Sequence, residues 1–359
     1  MSDATLRAAL GLLLSRLGSE DSVRILWHAG EPLSAGLEFF ERAADIVREC
    51  APAGVRITQT LQTNGTLIDD RWCRFFAREK MLVGVSVDGP AHIHDMHRRN
   101  LANGPTHAAV MKGVSALKRQ GLPLHAIAVL TPHSMAFADE IFDFFVTGGF
   151  ESVGFNLEET EGVHSSSFFS REPEASILRA KYELFMARLF DRWHGAGRRP
   201  RIRELESMAL AIGTFLRDTK SCRTPDDLVP FRNITVTREG EISTFSPELA
   251  SGTPADPQRF SIGNVHRVGS IEELAEGRKF QELASEIAKG VDRCRSECEY
   301  FPICGGGTAS NKFYENGKFD SAETTTCALN RKALSRAVAG GLRNLSGAHL
   351  AATAAVTYS

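Results

Sequence analysis

Apolar and polar residues follow one recurring pattern in the first half of the chain. Five short segments each begin with apolar, β-favouring residues and end in polar residues or glycine. Stretches long enough for a helix separate them, so the pattern predicts parallel strands connected by helices. Barrels of this kind carry their chemistry at the carboxyl ends of the strands. The five segments are Val23–Leu33, Ile57–Gly65, Leu82–Pro90, Leu124–Thr131 and Ser152–Glu159.

Polar side chains stand at the ends of most of these segments, and we expect them to converge on one mouth of the predicted barrel. Gly30 within HAGEP lets a ligand approach the backbone closely, and Pro32 leaves a preceding carbonyl free to accept a hydrogen bond. Each motif alone is as typical of a plain turn, but the arrangement repeats at successive strand ends. The converging residues are His28, Glu31, Asn64, Ser86, Asp88, Asn156 and Glu158.

Helix-periodic segments surround the strands and continue beyond them. The chain opens with an amphipathic helix over 3–18, and a hairpin at Ile234–Thr237 and Ile242–Phe245 marks a change of architecture. The predicted division is a barrel with a helical extension over 1–218, a second domain over 219–345 and a disordered alanine-rich tail over 346–359. Further helices are predicted at 37–49, 69–80, 105–120, 137–147, 174–193, 201–217, 271–289 and 328–343.

Composition narrows the class of protein. The 359 residues carry a formal net charge of -2 and a pI of about 6.6, which argues against a protein that binds nucleic acid through its phosphates. The sequence has no long apolar run and no signal-peptide pattern, so it predicts a cytoplasmic protein without a membrane span.

Four of the seven cysteines lie within residues 294–327, in and after the segment CRSECEYFPICGGG. Such a density predicts metal ligands rather than disulfides, and four thiolates suit either zinc or an iron–sulfur cluster. The less favoured alternative is a set of ordinary buried thiols. The four are Cys294, Cys298, Cys304 and Cys327, whereas Cys50 and Cys73 are predicted core residues and Cys222 stays unassigned.

Several of these motifs, in this order, resemble those of a known enzyme family. WHAGEPL, TNGTL, SVDGP with HDMHRR, and the cysteine-rich C-terminal segment look like radical S-adenosylmethionine (radical SAM) enzymes that carry a SPASM domain. FNLEETEG, STFSPEL, CGGGTASNK, ENGKF and ETTTC narrow the resemblance to the cyclophane-forming maturases of glycine-rich-repeat peptides. The resemblance implies an α/β fold, a partial (β/α)6 TIM-like barrel without its first strand, followed by a C-terminal SPASM iron–sulfur domain.

The resemblance also implies cofactors and the residues that hold them. S-adenosylmethionine would bind at the mouth, with residues 29–32 at its amino group and Ser86 and Arg98 at its carboxylate. The cofactor-binding residues implied are Ala29, Gly30, Glu31, Pro32, Asn64, Ser86 and Arg98, while Asn156, Glu158 and Glu159 would face the substrate. Cys294, Cys298, Cys304 and Cys327 would hold one auxiliary 4Fe–4S cluster.

Two departures separate the chain from the family pattern. The CxxxCxxC motif, which holds the radical-generating 4Fe–4S cluster, is absent, and we expect it with the first barrel strand upstream of the helix over 3–18. Ser246 and Thr308 stand where additional cysteines are expected, so one auxiliary cluster is predicted instead of two. As written, the chain cannot bind the radical-generating cluster in the family's way.

By resemblance the protein is an oxidoreductase that modifies a ribosomal precursor peptide through a carbon–carbon (cyclophane) cross-link, with no catalytic residue assigned. Its partners would be that glycine-rich peptide and an electron donor such as a flavodoxin or ferredoxin, and neither nucleic acid nor membrane. Oxidation of a cysteine or serine in a sulfatase is the alternative reaction. The absent CxxxCxxC keeps open a non-catalytic truncated iron–sulfur protein, and the four thiols keep open a zinc-stabilised α/β binding protein.

Overall fold

The computed structural model of the chain describes residues 1–162, 166–167, 169, 175–220 and 222–356, with side chains as far as residue 345. Its central element is a six-stranded sheet in which every neighbouring pair of strands is parallel. The strands follow one another in chain order, as expected when helices connect them. They are β1 (Ser22–Trp27), β2 (Arg56–Thr63), β3 (Leu82–Ser86), β4 (His125–Leu130), β5 (Ser152–Leu157) and β6 (Arg201–Ile202).

The sheet confirms the predicted parallel α/β architecture and adds one strand to it. Five strands coincide with the predicted segments. The sixth, β6, falls inside the predicted helix over 201–217, which begins at Arg203 instead. The prediction missed β6 because a segment of two residues is too short to show hydrophobic alternation.

Helices connect the strands, and most begin and end within a few residues of their predicted bounds. The opening helix is shorter than predicted, because it ends at Leu14, ahead of Gly18. One helix after β3 was not predicted. In chain order the helices are α1 (Asp3–Leu14), α2 (Leu37–Cys50), α3 (Asp70–Glu79), α4 (Ala91–His97), α5 (His107–Arg119), α6 (Ala138–Gly148), α7 (Ala175–Gly195) and α8 (Arg203–Arg217).

The main core lies between the sheet and these helices. Strand side chains alternate between two faces, and Leu61, Val85 and Phe155 belong to one buried cluster with the helix residues Phe40 and Phe145. The alternate strand positions point away from the helices and are mostly less buried. The second face of the sheet and the carboxyl ends of its strands are therefore accessible to a ligand.

The C-terminal region is built around a small antiparallel sheet of β7 (Ile234–Val236), β8 (Glu241–Thr244) and β9 (Gly263–Asn264), which contains the predicted hairpin. The predicted helix over 271–289 is two helices, because Gly277 separates them. The helices of this region are α9 (Ile271–Glu276), α10 (Arg278–Glu297), α11 (Phe301–Cys304), α12 (Ala309–Asn316), α13 (Thr325–Cys327) and α14 (Leu334–Val356).

The last helical stretch is longer than predicted. α13 continues through a π-helical segment, Ala328–Ala333, into α14. The predicted disordered tail over 346–359 is helical as far as Val356, since alanine is the strongest helix former, and residues 357–359 lie outside the described residues. The division into 1–218, 219–345 and 346–359 otherwise stays a prediction. Within the described residues, neither this helix nor any other is long and apolar enough to cross a membrane.

Helix α1 connects the barrel-like sheet to the C-terminal region. Leu6 and Leu10 pack with Ile46 of α2 in one buried cluster. On another side of the helix, Leu12 packs with Ile242 of β8 in a second cluster. Burying two apolar sides of one helix holds the two sheets in a defined relation.

Candidate functional site

The HAGEP turn, residues 28–32, follows β1 directly and is held in place by its own glutamate. Glu31 Oε1 accepts a hydrogen bond from Thr63 Oγ1 (2.6 Å), and Glu31 Oε2 accepts one from the Asn64 backbone N–H (2.7 Å). Ala29 and Gly30 both have left-handed backbones, with φ of 71° and 59°. A Cβ added at Gly30 would meet no atom within 4 Å. The turn is therefore fixed to the end of β2 and leaves open space beside Gly30 for a ligand to approach the backbone.

Asn64 and Ser86 lie beside this turn, at the ends of β2 and β3. Gln62 Nε2 donates a hydrogen bond to Ser86 Oγ over 2.9 Å, which connects the two strands. Asn64 Oδ1 accepts hydrogen bonds from the Thr66 backbone N–H (2.9 Å) and from the Thr66 hydroxyl (2.7 Å). The structure thus brings the predicted residues of the first three strand ends to one edge of the sheet, with the Asn64 side-chain oxygen engaged in its own turn.

Asp88 and Arg98 form a bidentate ion pair just beyond β3. Arg98 Nε donates to Asp88 Oδ2 (2.6 Å) and Arg98 Nη2 donates to Asp88 Oδ1 (3.0 Å). Asp88 Oδ1 also accepts the backbone N–H of Val129 from β4 (2.8 Å). Asp88 is 6% exposed, so its charge depends on these donors. The pair joins β3, β4 and the end of α4.

His94 of α4 holds the backbone around this ion pair. The ring is fully buried, its Nδ1 accepts the Asp88 backbone N–H (3.3 Å), and its Nε2 lies 3.1 Å from Thr106 Oγ1. The Thr106 hydroxyl donates to the Arg98 carbonyl (2.9 Å), so the imidazole must donate through Nε2–H. Burial, the largest cause, lowers the pKa of His94 to about 4. His94 is therefore neutral near pH 7, as these hydrogen bonds require.

The three predicted substrate-side residues do not form one group. Asn156 Oδ1 accepts a hydrogen bond from Arg203 Nη2 over 2.6 Å at the end of β5. Glu158 lines a small cavity at the same strand end. Glu159 instead reaches the C-terminal region, where its Oε2 accepts from Asn311 Nδ2 of α12 over 2.8 Å.

Glu159 and Glu248 are two half-buried carboxylates, the first just after β5 and the second in the C-terminal region. Burial raises the pKa of Glu159 to about 7, and the charges of Glu161 and Glu315 add to the effect. Burial also raises the pKa of Glu248 to about 7, with the Glu159 charge contributing. Sequence analysis did not single out Glu248, because the groups that perturb it come from distant segments of the chain.

The four clustered cysteines line one cavity of the C-terminal region. Burial raises the pKa of the Cys327 thiol to about 12, and the neighbouring Cys304 thiol adds to the effect. Among the described residues, no three His, Cys, Asp or Glu side chains are grouped so as to hold a single metal ion. The thiols surround a cavity rather than one point. Cys294, Cys298, Cys304, Thr308, Lys312, Cys327 and Arg331 are among the lining residues.

The three remaining cysteines, and the two hydroxyl residues that stand where further cysteines were expected, lie in different surroundings. Cys222 is exposed, and its thiol donates to a backbone carbonyl of α11 over 3.3 Å. Cys73 is buried in α3, and Cys50 is half-buried in α2. Thr308 lines the thiol cavity, whereas Ser246 Oγ is buried without a hydrogen-bond partner in the described part of the chain. Hydroxyl groups at these two positions are poor substitutes for thiolates as iron ligands.

Comparison with known proteins finds both relatives in sequence and solved structures with a similar fold. No protein-family model matches it. It is 36% identical over 327 residues to the uncharacterized protein sll1766 of Synechocystis sp., covering 90% of this chain and 80% of that protein. The chain belongs to the same family as that protein.

Two further proteins that are similar to the chain have named activities. The chain is 28% identical over 292 residues to the cysteine-type anaerobic sulfatase-maturating enzyme of Clostridium perfringens, covering 78% of the chain and 72% of the enzyme. It is 32% identical over 181 residues to the serine-type enzyme of Bacteroides thetaiotaomicron, covering 48% and 44%. These two relatives are radical SAM enzymes of the sulfatase-maturating type.

Solved structures share the fold. Native anSMEcpe with bound AdoMet matches with a TM-score of 0.75 and 24% identity over 97% of this chain and 90% of that one. Streptococcus suis SuiB bound to the precursor peptide SuiA matches with a TM-score of 0.56 and 16% identity over 85% and 65%. These likenesses confirm the predicted fold class, an α/β fold with a six-stranded parallel sheet like that of radical SAM enzymes.

Proposed function

We propose that this family member is a radical SAM enzyme that binds S-adenosylmethionine at the mouth of the six-stranded sheet and modifies a peptide. One observation carries the proposal: the HAGEP turn, Ser86 and Arg98 lie together at the carboxyl ends of β1 to β3. This edge is where barrels of parallel strands hold their reacting groups. The likeness to an enzyme solved with bound AdoMet supports the same location.

The residues present at the mouth fit an amino-acid-like cofactor. Backbone carbonyls beside Gly30 would receive its amino group, since the Glu31 carboxylate is already occupied by Thr63 and Asn64. Ser86 Oγ and the Arg98 guanidinium would hold its carboxylate. When bound, S-adenosylmethionine supplies the radical that removes a hydrogen atom from the substrate. The part of this chain is to bind the cofactor, orient it and exclude water.

The two kinds of cluster fit the chain differently. Four thiolates around one cavity are the ligand set of a 4Fe–4S cluster, so residues 294–327 fit an auxiliary cluster. Residues 1–359 contain no CxxxCxxC motif, and Cys50 and Cys73 lie in helices rather than at the mouth. The cysteines present do not fit a radical-generating cluster.

For the reaction we propose carbon–carbon (cyclophane) cross-linking in a glycine-rich ribosomal precursor peptide, with a flavodoxin or ferredoxin as electron donor. The motifs FNLEETEG and STFSPEL support this substrate class, and the charge of Glu159 in the first contributes to the raised pKa of Glu248 in the second. The SuiB structure with its precursor peptide supports a peptide substrate. The second candidate is oxidation of a cysteine or serine in a sulfatase, which the two sulfatase-maturating relatives favour.

We assign Glu159 and Glu248 as the groups that accept protons released by either reaction. A carboxylate whose pKa is about 7 can take up a proton and hold it near neutral pH, unlike one with an ordinary pKa. Asn311 holds Glu159 Oε2, which leaves Oε1 as the atom that accepts the proton. The two residues lie on different regions of the fold, so a peptide bound between those regions would be within their reach.

The test is co-expression of the protein, from its natural gene, with candidate substrates under anaerobic conditions. One substrate is a glycine-rich peptide with aromatic residues, and the other is a sulfatase segment with a cysteine or serine. The mass of the first peptide should fall by two hydrogen atoms. Tandem mass spectrometry should show no backbone cleavage products between the two linked residues. Modification of the sulfatase segment alone would replace the cross-linking proposal by the second candidate. Modification of neither, in protein that contains iron and S-adenosylmethionine, would contradict both.

A further inference from the structure

The guanidinium group of Arg98 has one edge engaged and one edge open. Nε and Nη2 donate to the two oxygens of Asp88, which is the side-on geometry of a bidentate pair. No residue of the described ranges accepts a hydrogen bond from Nη1, and the Arg98 side chain is 27% exposed. The guanidinium is planar and directs its five N–H groups rigidly. Asp88 holds the side edge, which consists of Nε and one Nη2 hydrogen. The end edge consists of Nη1 and the second Nη2 hydrogen, and its direction is then fixed.

Asp88 can serve as a rigid anchor because the structure holds it from three directions. It is buried, and the Val129 backbone N–H of β4 donates to the same Oδ1 that accepts Arg98 Nη2. Its own backbone N–H donates to His94 Nδ1. Moving Asp88 would leave buried donors and acceptors without partners, which is costly.

The backbone of Arg98 is anchored as well as its side chain. The Thr106 hydroxyl donates to the Arg98 carbonyl over 2.9 Å and accepts from His94 Nε2 at 3.1 Å. Both ends of the arginine, its carbonyl and its guanidinium, are therefore tied through His94 and Asp88 to the end of β3. Arg98 has little freedom to turn away from the mouth.

We propose that Asp88 is a positioning residue that orients Arg98, so that the open end edge of the guanidinium receives the α-carboxylate of S-adenosylmethionine. The inference rests on the proposed function, because it names the group that selects the cofactor at the proposed site. Asp88 offsets the charge of Arg98, so the attraction for an anion is reduced and geometry decides the binding. A ligand is then selected by a planar carboxylate in the right direction rather than by negative charge alone.

The experiment compares two ligands on the purified, anaerobically reconstituted protein by isothermal titration calorimetry. S-adenosylmethionine carries the carboxylate, and decarboxylated S-adenosylmethionine lacks it. The wild-type protein should bind the first at least about tenfold more tightly, because the ionised carboxylate forms a charge-assisted hydrogen bond with the guanidinium. In Asp88→Asn and in Arg98→Lys this ratio should fall to about threefold or less, because the carboxylate loses its oriented partner.

A matched control and a second variant make the result decisive. Arg99→Lys changes the neighbouring arginine, which donates to the Asn103 carbonyl at the surface, and it should keep the wild-type ratio. Thr106→Val removes the hydroxyl that anchors the Arg98 carbonyl without touching the ion pair, and it should lower the ratio in the same direction but less. It also tests the proposal if Asp88→Asn does not fold.

Each other outcome would overturn the proposal in a recognisable way. If Asp88→Asn and Thr106→Val weaken both ligands equally, the two residues act on stability alone. If the wild-type protein binds both ligands with the same affinity, Arg98 does not recognise the carboxylate, although the proposed function stands. If the wild-type protein binds neither ligand, the proposed function fails, and the role of Asp88 fails with it.

Discussion

The mouth of the sheet and the thiol cavity are both polar sites, yet they are stabilised in different ways. At the mouth, charged groups are already paired with groups of the chain: Asp88 with Arg98, and Glu31 with Thr63. In the thiol cavity, burial and a neighbouring thiol raise the pKa of Cys327 to about 12. A thiol with so high a pKa stays protonated near pH 7 unless a positive charge, such as that of a metal ion, stabilises its thiolate.

The mouth is therefore formed before its ligand binds, whereas the thiol cavity is completed by its ligand. The mouth keeps its shape through internal hydrogen bonds, so changes there should alter affinity more than folding. The thiols surround a space that a ligand would fill, so changes there should alter both metal content and folding.

Replacing a cysteine of the cavity should have the largest effect. Cys304→Ala removes one of four proposed cluster ligands, and iron content after anaerobic reconstitution should fall from about four per chain to less than about one. Iron and sulfide analysis with visible absorption measures the change. Cys50→Ala is the control, because Cys50 is half-buried in α2, and it should keep its iron. A colourless wild-type protein with one zinc per chain would replace the cluster by a zinc site.

Two glycines allow the same steric change to be made next to each site. A Cβ at Gly113 of α5 would lie 2.3 Å from the Gly65 carbonyl oxygen, in the turn that follows β2. A Cβ at Gly290 of α10 would lie 2.1 Å from the Phe319 carbonyl oxygen, in the C-terminal region. Each contact is with backbone, so Gly113→Ala and Gly290→Ala should each destabilise the protein by about 1–3 kcal/mol.

The consequences of the two substitutions should differ. Gly113→Ala should weaken S-adenosylmethionine binding and keep the iron content, whereas Gly290→Ala should lower the iron content and keep the affinity for S-adenosylmethionine. Urea unfolding, calorimetry and iron analysis on the same preparations measure all three quantities. Loss of iron in Gly113→Ala would show that the two sites are coupled rather than independent.

The half-buried carboxylate of Glu248 adds a pH dependence to the stability of the protein. Burial raises the pKa of Glu248 from 4.5 to about 7, so its neutral form favours folding. The stabilising contribution is complete below about pH 4.5 and is lost as the pH rises through about 7. Glu248→Gln stays neutral, so its Tm relative to wild type should rise between pH 5 and pH 8, by an amount on the order of a few degrees.

A second glutamate provides a control of opposite sign. Hydrogen bonds from its own backbone N–H and from Ser270 lower the pKa of Glu272 at the start of α9. Its stabilising contribution to folding is therefore complete above the ordinary pKa of a glutamate. This contribution is lost as the pH falls through the lowered pKa. Glu272→Gln should lower the Tm relative to wild type at neutral pH and not in acid. The same pH response in both variants would show that global charge, rather than burial at Glu248, is responsible.

The sequence was most informative where local order along the chain determines position in space. A polar residue that ends a parallel strand must lie at one edge of the sheet, so HAGEP, Asn64 and Ser86 could be placed before the fold was known. Asp88 and Arg98 were both identified, but α4 between them was not predicted, and the pairing of the two could not be seen. Glu248 could not be recognised at all, because Glu159, whose charge contributes to its raised pKa, lies just after β5 in a distant segment of the chain.

The smallest effect should come from a glycine that contacts neither site. Gly213 lies inside α8, its backbone is not left-handed, and a Cβ there would meet no atom within 4 Å. Gly213→Ala should stabilise the protein by about 0.5–1 kcal/mol, because alanine loses less backbone entropy in a helix. Urea unfolding measures the gain, and both iron content and S-adenosylmethionine affinity should stay unchanged. Since this substitution adds the same methyl group as Gly113→Ala and Gly290→Ala, a loss of stability here would mean that the cost at those glycines is not steric. If Gly113→Ala and Gly290→Ala destabilise the protein while Gly213→Ala stabilises it, the lost stability comes from the backbone contacts. Those contacts lie beside the mouth and in the C-terminal region.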